Sequence, residues 1–152
     1  MHWLALCLVE REVGNVLCGN DYAEGLIWTV LAEYLSANIS IPTVLCGDFN
    51  EPKIDHVDQS RLEFFDQKGD RGKAASYILN PQGIHKLHDS YRLWLEQNEE
   101  ELQRIKSEQE AAEDLLSEPL AVSHLVGGKV KKRYDYILIS PGLESVRSSV
   151  SL

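Results

Sequence analysis

The sequence predicts an α/β (α+β) fold in which a mixed sheet is flanked by helices. Residues 3–9 form a continuous apolar run, which is typical of a strand buried on both faces. In residues 22–35 the apolar side chains recur at helical spacing, so this segment is predicted to be an amphipathic helix, capped by Asn20 or Asp21. A second buried strand is predicted over 43–46, after Pro42. Strand, helix and strand in this order favour a helix packed across a sheet.

Composition describes an ordinary globular chain. The 152 residues are 43% hydrophobic and 26% charged, which excludes the disordered, collagen-like and disulfide-scaffold classes. The early apolar run is too short to span a bilayer and lacks the features of a secretory signal, so no membrane partner is expected. Cys7, Cys18 and Cys46 have no metal-ligand spacing and indicate reduced thiols in a cytoplasmic protein.

The net charge of −9 is concentrated in one segment. Residues 96–118 contain nine acids against Arg104 and Lys106, which predicts a solvated acidic helix face. A basic cluster follows at Lys129, Lys131, Lys132 and Arg133, so a phosphate-bearing ligand is not excluded by the overall charge. Nucleic-acid binding through this cluster is the weaker interpretation, because no aromatic residues are interleaved with the four charges.

Turn residues and apolar periodicity predict further helices and strands after residue 60. Short helices are predicted near 61–67 and over 74–79, the second ending at Asn80-Pro81. Residues 87–92 suggest an N-cap and helix start, and a long helix with a thin apolar stripe is predicted over 93–116. Val130 and residues 134–140 indicate the last strands. No repeat or linker divides the chain, which predicts a single, partial domain over 1–152 with 93–118 as an acidic helical insertion.

The motif Gly47-Asp48-Phe49-Asn50 lies at the end of a predicted buried strand. A strand end holds its last side chains rigidly at the rim of the sheet, where α/β proteins tend to build their sites. Asp48 would serve there as a general base or metal ligand, with Asn50 donating and accepting hydrogen bonds beside it. The alternative interpretation is a turn that only ends the strand, since Gly, Asp and Asn all favour turns.

A second carboxylate stands inside the apolar strand Arg133–Ser140. Alternation places Asp135 on the same face as Ile137 and Ile139, where a carboxylate is costly unless it is paired or hydrogen-bonded. Arg133 was expected on that face as well, which makes a structural ion pair between Arg133 and Asp135 the alternative to a functional role.

Taken together and in this order, Gly47–Asn50, Asp89-Ser90-Tyr91-Arg92 and Arg133–Ile137 resemble three motifs of the endonuclease/exonuclease/phosphatase superfamily. The resemblance spans residues 3–143 and corresponds to the C-terminal half of that domain. It implies a partial DNase I-like β-sandwich and a hydrolase that cleaves phosphodiester or phosphomonoester bonds by in-line attack of an activated water.

The resemblance also implies roles for individual residues. Asp48 would activate the water, Asn50 would position the phosphate, and Asp135 would orient a catalytic histidine. Asp48 and Asn50 would be the metal ligands, with Mg²⁺ (or Mn²⁺) as the cation that stabilises charge developing on phosphorus. The substrate would be a phosphoester, and nucleic acid, phosphoinositides and small phosphoesters all occur on this scaffold.

The sequence departs from the superfamily pattern at three places. Its N-terminal metal-binding Asn and Glu are absent, Leu6-Cys7-Leu8 replaces Thr-His-Leu, and the terminal Ser-Asp-His is missing. His124 precedes the Asp135 strand and is expected in a loop, so it is not that histidine. The chain by itself is therefore expected to be slow or inert as an enzyme.

Two hypotheses follow from these matches and departures. One is a phosphoesterase whose remainder is missing or supplied by another chain. The other is a non-catalytic relative that binds a partner, with the acidic helix as the partner-facing element. A half-domain leaves one sheet face uncovered, and a second protein chain or another copy of this one would cover it.

Overall fold

The computed structural model describes residues 4–8, 21–38, 40–65, 71–80, 85–112, 118–141 and 143. Six strands lie in this part of the chain: β1 (Leu4–Leu8), β2 (Thr43–Asp48), β3 (His88–Asp89), β4 (His124–Val126), β5 (Val130–Lys132) and β6 (Asp135–Ile139). The α-helices are α1 (Asp21–Ala37), α2 (Arg71–Leu79), α3 (Ser90–Glu96) and α4 (Glu99–Ala111), and a short 3₁₀ helix covers Gln59–Arg61. The class is thus mixed α and β, as predicted.

The first three elements form the predicted strand–helix–strand unit. β1 and β2 are parallel neighbours with Leu6 opposite Leu45, and α1 lies between them in the chain. The apolar stripe predicted for α1 is confirmed where its side chains are described. Leu31 and Leu35 are buried together with Trp28 and Ala32, because residues three and four apart share one helix face. Leu45 of β2 belongs to the same core cluster.

The sheet is completed by antiparallel strands in the order β1-β2-β6-β3. Leu45 pairs with Leu138, and the last pair of the β2–β6 ladder joins Asp48 to Asp135. On one face Leu45, Tyr136 and Leu138 are buried in the core cluster. On the other face Ile137 is 53% exposed and its cross-strand neighbour Cys46 is half-buried. Among the described residues this face is therefore open at Ile137 but covered at Ile139, which is 9% exposed.

The acidic insertion is two helices, so the prediction of one helix over 93–116 is wrong. α3 ends at Glu96 and α4 begins at Glu99. The break has a local cause: the Asn98 side chain donates 2.6 Å to the Trp94 carbonyl, which competes with helix continuation. The glutamates that open α4 then favour a new helix N-terminus. Residues 113–116 of the predicted helix lie outside the described part of the chain.

The insertion packs against the rest of the molecule. Leu95, Ile105 and Leu120 form a second core cluster. Gln109, only 3% exposed, accepts from the Val57 amide at 3.0 Å and donates to the Asp55 and Glu118 carbonyls. The opposite face of α4 is solvated as expected, with exposed glutamates at Glu99, Glu100, Glu108 and Glu110.

Two further local predictions need correction. The predicted helix near 61–67 does not form over 62–65: Arg61 ends the 3₁₀ helix, and Glu63 then forms a bridge with Ile54. Residues 66–67 lie outside the described ranges. His124 is not in a loop but begins β4, which forms a hairpin with β5. Gly127 and Gly128 make the hairpin turn at φ +58° and +71°, a left-handed conformation that favours glycine.

The described helices include none that is long and apolar enough to cross a membrane.

Candidate active site

The motif Gly47–Asn50 lies at the carboxyl end of β2, as the sequence predicts. Asp48 ends the strand, and its Oδ1 accepts the Asn50 amide at 2.9 Å, so the motif closes on itself as an Asx turn. Asn50 has φ +50°, a left-handed conformation that asparagine tolerates better than most residues. The motif is therefore a turn that places two polar side chains, those of Asp48 and Asn50, at the end of β2.

Phe49 anchors the motif to the core. Its side chain is fully buried, stacked on Trp28 at 4.9 Å between ring centroids and edge-on to Tyr136 at 5.6 Å. Its amide donates to the Tyr134 carbonyl at 2.8 Å, which extends the contact between β2 and the chain entering β6. Because Phe49 is held on two sides, Asp48 and Asn50 on either side of it have little freedom to move.

The antiparallel register brings Asp135 directly opposite Asp48. Residues opposite one another in antiparallel strands have Cβ atoms about 5 Å apart and side chains on the same face. Asp48 is half-buried and Asp135 is exposed. The three residues singled out in the sequence, Asp48, Asn50 and Asp135, are thus brought together at one rim of the sheet.

Arg133 pairs with Asp55 and Asp89 and not with Asp135, so the alternative interpretation of a structural ion pair between Arg133 and Asp135 is wrong. β6 begins at Asp135, and the alternation of its side chains does not extend back to residue 133. Arg133 is 4% exposed, and its guanidinium carbon lies 4.2 Å from the ring centroid of Tyr136. Asp135 points to solvent without an ion-pair partner among the described residues.

Arg133 belongs instead to a second polar group, the buried ion cluster of Asp55, Asp89, Arg92 and Arg133. Arg133 Nε lies 2.7 Å from Asp55 Oδ2 as an ion contact without hydrogen-bond geometry, and Arg133 also donates to Asp89 Oδ2. Arg92 donates to Asp55 Oδ1 at 2.8 Å and lies 3.6 Å from Asp89. Two guanidiniums and two carboxylates leave the cluster neutral.

The environment of the cluster shifts its proton affinities. Burial raises the pKa of Asp55, with Arg133 and Arg92 acting against that rise. Burial alone would lower the pKa of Arg133, but Tyr136, Asp55 and Asp89 outweigh it, and the net direction is upward. Burial also raises the pKa of the Tyr136 hydroxyl, with Asp55 adding to the rise. Arg133 and Tyr136 consequently stay protonated throughout the physiological range.

The cluster ties together parts of the chain that surround the candidate site. Asp89 also caps α3, accepting the Tyr91 amide at 3.0 Å, as the predicted N-cap requires. Arg92 reaches the carbonyls of His56 and Val57. Sequence reasoning missed Asp55, because a single aspartate in a polar loop carries no periodicity or motif that distinguishes it.

The basic cluster predicted from the sequence does not form one exposed patch. Lys132 and Arg133 are buried, and Lys132 Nζ donates to the Lys53 carbonyl. Lys131 is exposed but pairs with Glu118 at 2.9 Å. Lys129 is exposed. These positions leave little concentrated positive potential for a nucleic-acid backbone.

His124 lies close to the entrance of β6 but does not hydrogen-bond to Asp135. Its ring stacks on Tyr134 at 5.6 Å between centroids and an interplanar angle of 26°. Within the described ranges, no histidine donates to the Asp135 carboxylate, so the histidine partner implied for it is not among these residues.

The donor set at this rim suits a hard cation bound largely through water. Within the described part of the chain, no group of three or more His, Cys, Asp and Glu side chains could hold a metal by itself. Mg²⁺ usually binds through only one or two carboxylates, with waters and substrate phosphate completing its shell. Asp48 and Asp135 supply two carboxylates and Asn50 an amide oxygen, which fits such a cation.

Comparison of the chain with protein-family models, with curated proteins and with solved structures found no match.

Proposed function

We propose that this chain is a divalent-metal-dependent phosphoesterase of the endonuclease/exonuclease/phosphatase type, with a partial DNase I-like β-sandwich as its fold. The observation that supports it is the carboxylate pair of Asp48 and Asp135. Like charges placed directly opposite one another destabilise a sheet, so a half-buried and an exposed carboxylate facing each other at a sheet rim are more easily explained by a cation that they bind. The order of the three sequence motifs supports the same proposal.

The chain's own residues have defined tasks in this proposal. Asp48 and Asn50 would hold Mg²⁺ or Mn²⁺, which when bound supplies electrostatic stabilisation of charge developing on phosphorus. Asp48 Oδ1 is occupied by the Asn50 amide, which leaves Oδ2 to accept a proton from the attacking water. Asn50 donates from its side-chain amide to a phosphate oxygen. Because the Asx turn holds the Asp48 carboxylate and the Asn50 backbone, we expect little reorganisation of these groups during the reaction.

The resemblance assigns Asp135 the task of orienting a catalytic histidine. A histidine for this task must come from outside the described residues, for example from a second chain that covers the open sheet face. We therefore expect the isolated chain to bind the cation but to hydrolyse phosphoesters slowly, since general acid catalysis typically contributes about 10²–10⁴-fold in rate.

The test combines metal binding with hydrolysis. Calorimetric titration with Mg²⁺ and Mn²⁺ is expected to show one site in the wild type, with affinity reduced at least about tenfold in Asp48→Asn. Asp58→Asn is the matched control, because Asp58 is an exposed carboxylate that also caps a turn. Hydrolysis of bis(p-nitrophenyl) phosphate and of a labelled oligonucleotide is expected to require the cation and to be abolished by Asp48→Asn.

Equal metal affinity in the wild type and Asp48→Asn, or hydrolysis that persists in Asp48→Asn or with chelator, would contradict the proposal.

The second candidate function is a non-catalytic binding module, and the open sheet face favours it. Ile137 is 53% exposed in the middle of β6, and Val44 and Cys46 on the same face are half-buried. Apolar side chains exposed on a sheet face commonly mark an interaction surface. In this case Ile137→Lys would abolish self-association or partner capture in sedimentation experiments, while cation binding would be absent from the wild type.

A further inference from the structure

The entrance of β6 is held by one serine hydroxyl. Ser123 Oγ accepts the Tyr134 amide at 3.0 Å and the Asp135 amide at 3.1 Å. Ser123 itself is fixed, because its own amide donates to the Lys132 carbonyl at 3.0 Å. A single oxygen with two lone pairs thus satisfies two consecutive amides where the chain enters the strand.

This anchor matters because of how Asp135 is positioned. The Asp48 carboxylate is held by its own Asx turn, whereas the Asp135 carboxylate is exposed and accepts no hydrogen bond from the described residues. The place of the Asp135 side chain consequently depends on its backbone. The β2–β6 ladder ends at this residue, so the backbone there depends on Ser123 on one side and on the Phe49–Tyr134 hydrogen bond on the other.

We infer that Ser123 is a positioning residue that keeps the Asp135 carboxylate opposite Asp48. It acts through the backbone of Asp135 and does not touch substrate or cation. The consequence for cation binding rests on the proposed function, whereas the anchoring of the two amides does not. Ser123 carries no motif, and its importance follows only from the two hydrogen bonds that the hairpin of β4 and β5 brings to β6.

The anchor is tested by amide hydrogen exchange in the folded protein, measured by NMR. In Ser123→Ala, exchange at Tyr134 and Asp135 is expected to accelerate about tenfold, which corresponds to loss of one ordinary hydrogen bond at each amide. Ser123→Thr keeps the hydroxyl and is expected to restore slow exchange. Ser60→Ala is the control, because Ser60 hydrogen-bonds to Asp58 at an exposed turn away from β6 in the sequence.

The positioning role is tested in the same samples with Mn²⁺ as a paramagnetic probe. In the wild type, Mn²⁺ is expected to broaden the Asp48 and Asp135 resonances at the same concentration. In Ser123→Ala, the concentration needed at Asp135 is expected to rise severalfold, and Asp48 is expected to remain the nearer group.

Unchanged exchange at both amides in Ser123→Ala would overturn the inference. Faster exchange with an unchanged Mn²⁺ response would also overturn it, because the anchor would then be structural only. If Mn²⁺ broadens neither aspartate in the wild type, the proposed function fails, and the inference of a positioning residue fails with it, while the exchange data still report whether Ser123 holds the strand.

Discussion

The buried ion cluster and the carboxylate pair are two polar groups at the same end of the molecule. They differ in whether their charges are balanced. In the cluster, Asp55 and Asp89 are each within ion-pair distance of Arg92 and Arg133, and the four charges cancel. In the pair, Asp48 and Asp135 face each other without a cation from the described residues. The first group is neutral and largely desolvated, whereas the second leaves two like charges uncompensated, and we propose that it binds a cation.

The comparison also separates two charged residues of one motif, Arg133 and Asp135, which look equivalent in the sequence. Arg133 and Asp135 are two residues apart, yet one is 4% exposed and the other lies in solvent. We expect the arginine to stabilise the fold, and we propose that the aspartate belongs to the candidate site. Mutations in the two groups are therefore expected to separate stability from binding.

The largest expected loss of unfolding free energy is that caused by Arg133→Met. Removing one partner of a buried ion pair leaves an uncompensated carboxylate and typically costs about 3–5 kcal/mol of unfolding free energy. At lower pH the difference in unfolding free energy between the wild type and Arg133→Met should become smaller. Asp55, whose pKa is already raised by burial, can then take up a proton and lose its unpaired charge. Urea denaturation at two pH values measures both effects.

Arg104→Met is the control for Arg133→Met. Arg104 pairs with Glu101 and Glu108 on the exposed face of α4, and surface ion pairs contribute little. No measurable change is expected. Equal losses of unfolding free energy in the two variants would mean that the buried ion cluster stabilises the fold no more than a surface ion pair does. The contrast drawn between the buried ion cluster and the carboxylate pair would then be wrong.

A smaller effect on stability is expected when the pH is lowered, because the molecule contains buried histidines that do not form ion pairs among the described residues. His85 is 3% exposed, with Nε2 donating to the Ile78 carbonyl at 2.8 Å and Nδ1 accepting the Leu87 amide. Burial lowers the pKa of His85 below 6.5. The unfolded chain then binds a proton that the folded chain rejects, so stability is full above pH 6.5 and falls as the pH drops below it.

Urea midpoints between pH 7.5 and 5.5 should show this slope in the wild type and a shallower one in His85→Gln. A residual slope is expected from His56, whose pKa burial and Arg61 also lower, and His56→Gln in the same chain should remove it. An identical slope in the wild type and in His85→Gln would contradict the neutral, hydrogen-bonded state of His85.

The smallest effect on stability is expected from Asp135→Asn. Relief of like-charge repulsion opposite Asp48 should leave the unfolding free energy unchanged or raise it by about 0.5 kcal/mol. Asp48 and Asn50 would remain to hold the cation, so the stabilisation by Mg²⁺, about 1.4 kcal/mol at ten times the dissociation constant, should become smaller without the negative charge of Asp135. Thermal denaturation with and without Mg²⁺ measures both, and a marked loss of stability without Mg²⁺ would show that Asp135 serves the scaffold after all.

Much of the local structure follows from the sequence, because it depends on residues close together in the chain. The place of β1 follows from its continuous apolar run, and the stripe of α1 and the Asp89 cap of α3 depend on residues only a few positions apart. The position of Asp48 and Asn50 at the end of a strand follows in the same way. The break between α3 and α4 was also local, but periodicity favoured one long helix, and the side-chain hydrogen bond of Asn98 prevailed.

The partners of the charged residues were decided only by the tertiary structure. Arg133 bonds to Asp89 across 44 positions, and Arg92 bonds to Asp55 across 37, distances over which no periodicity carries information. The pairing of Asp48 with Asp135 likewise depends on the antiparallel register of β2 and β6. The sequence by itself determined which residues carry charge at the strand ends. Folding decided which charges were neutralised and which stayed open, because only packing brings distant side chains within reach and removes the water between them.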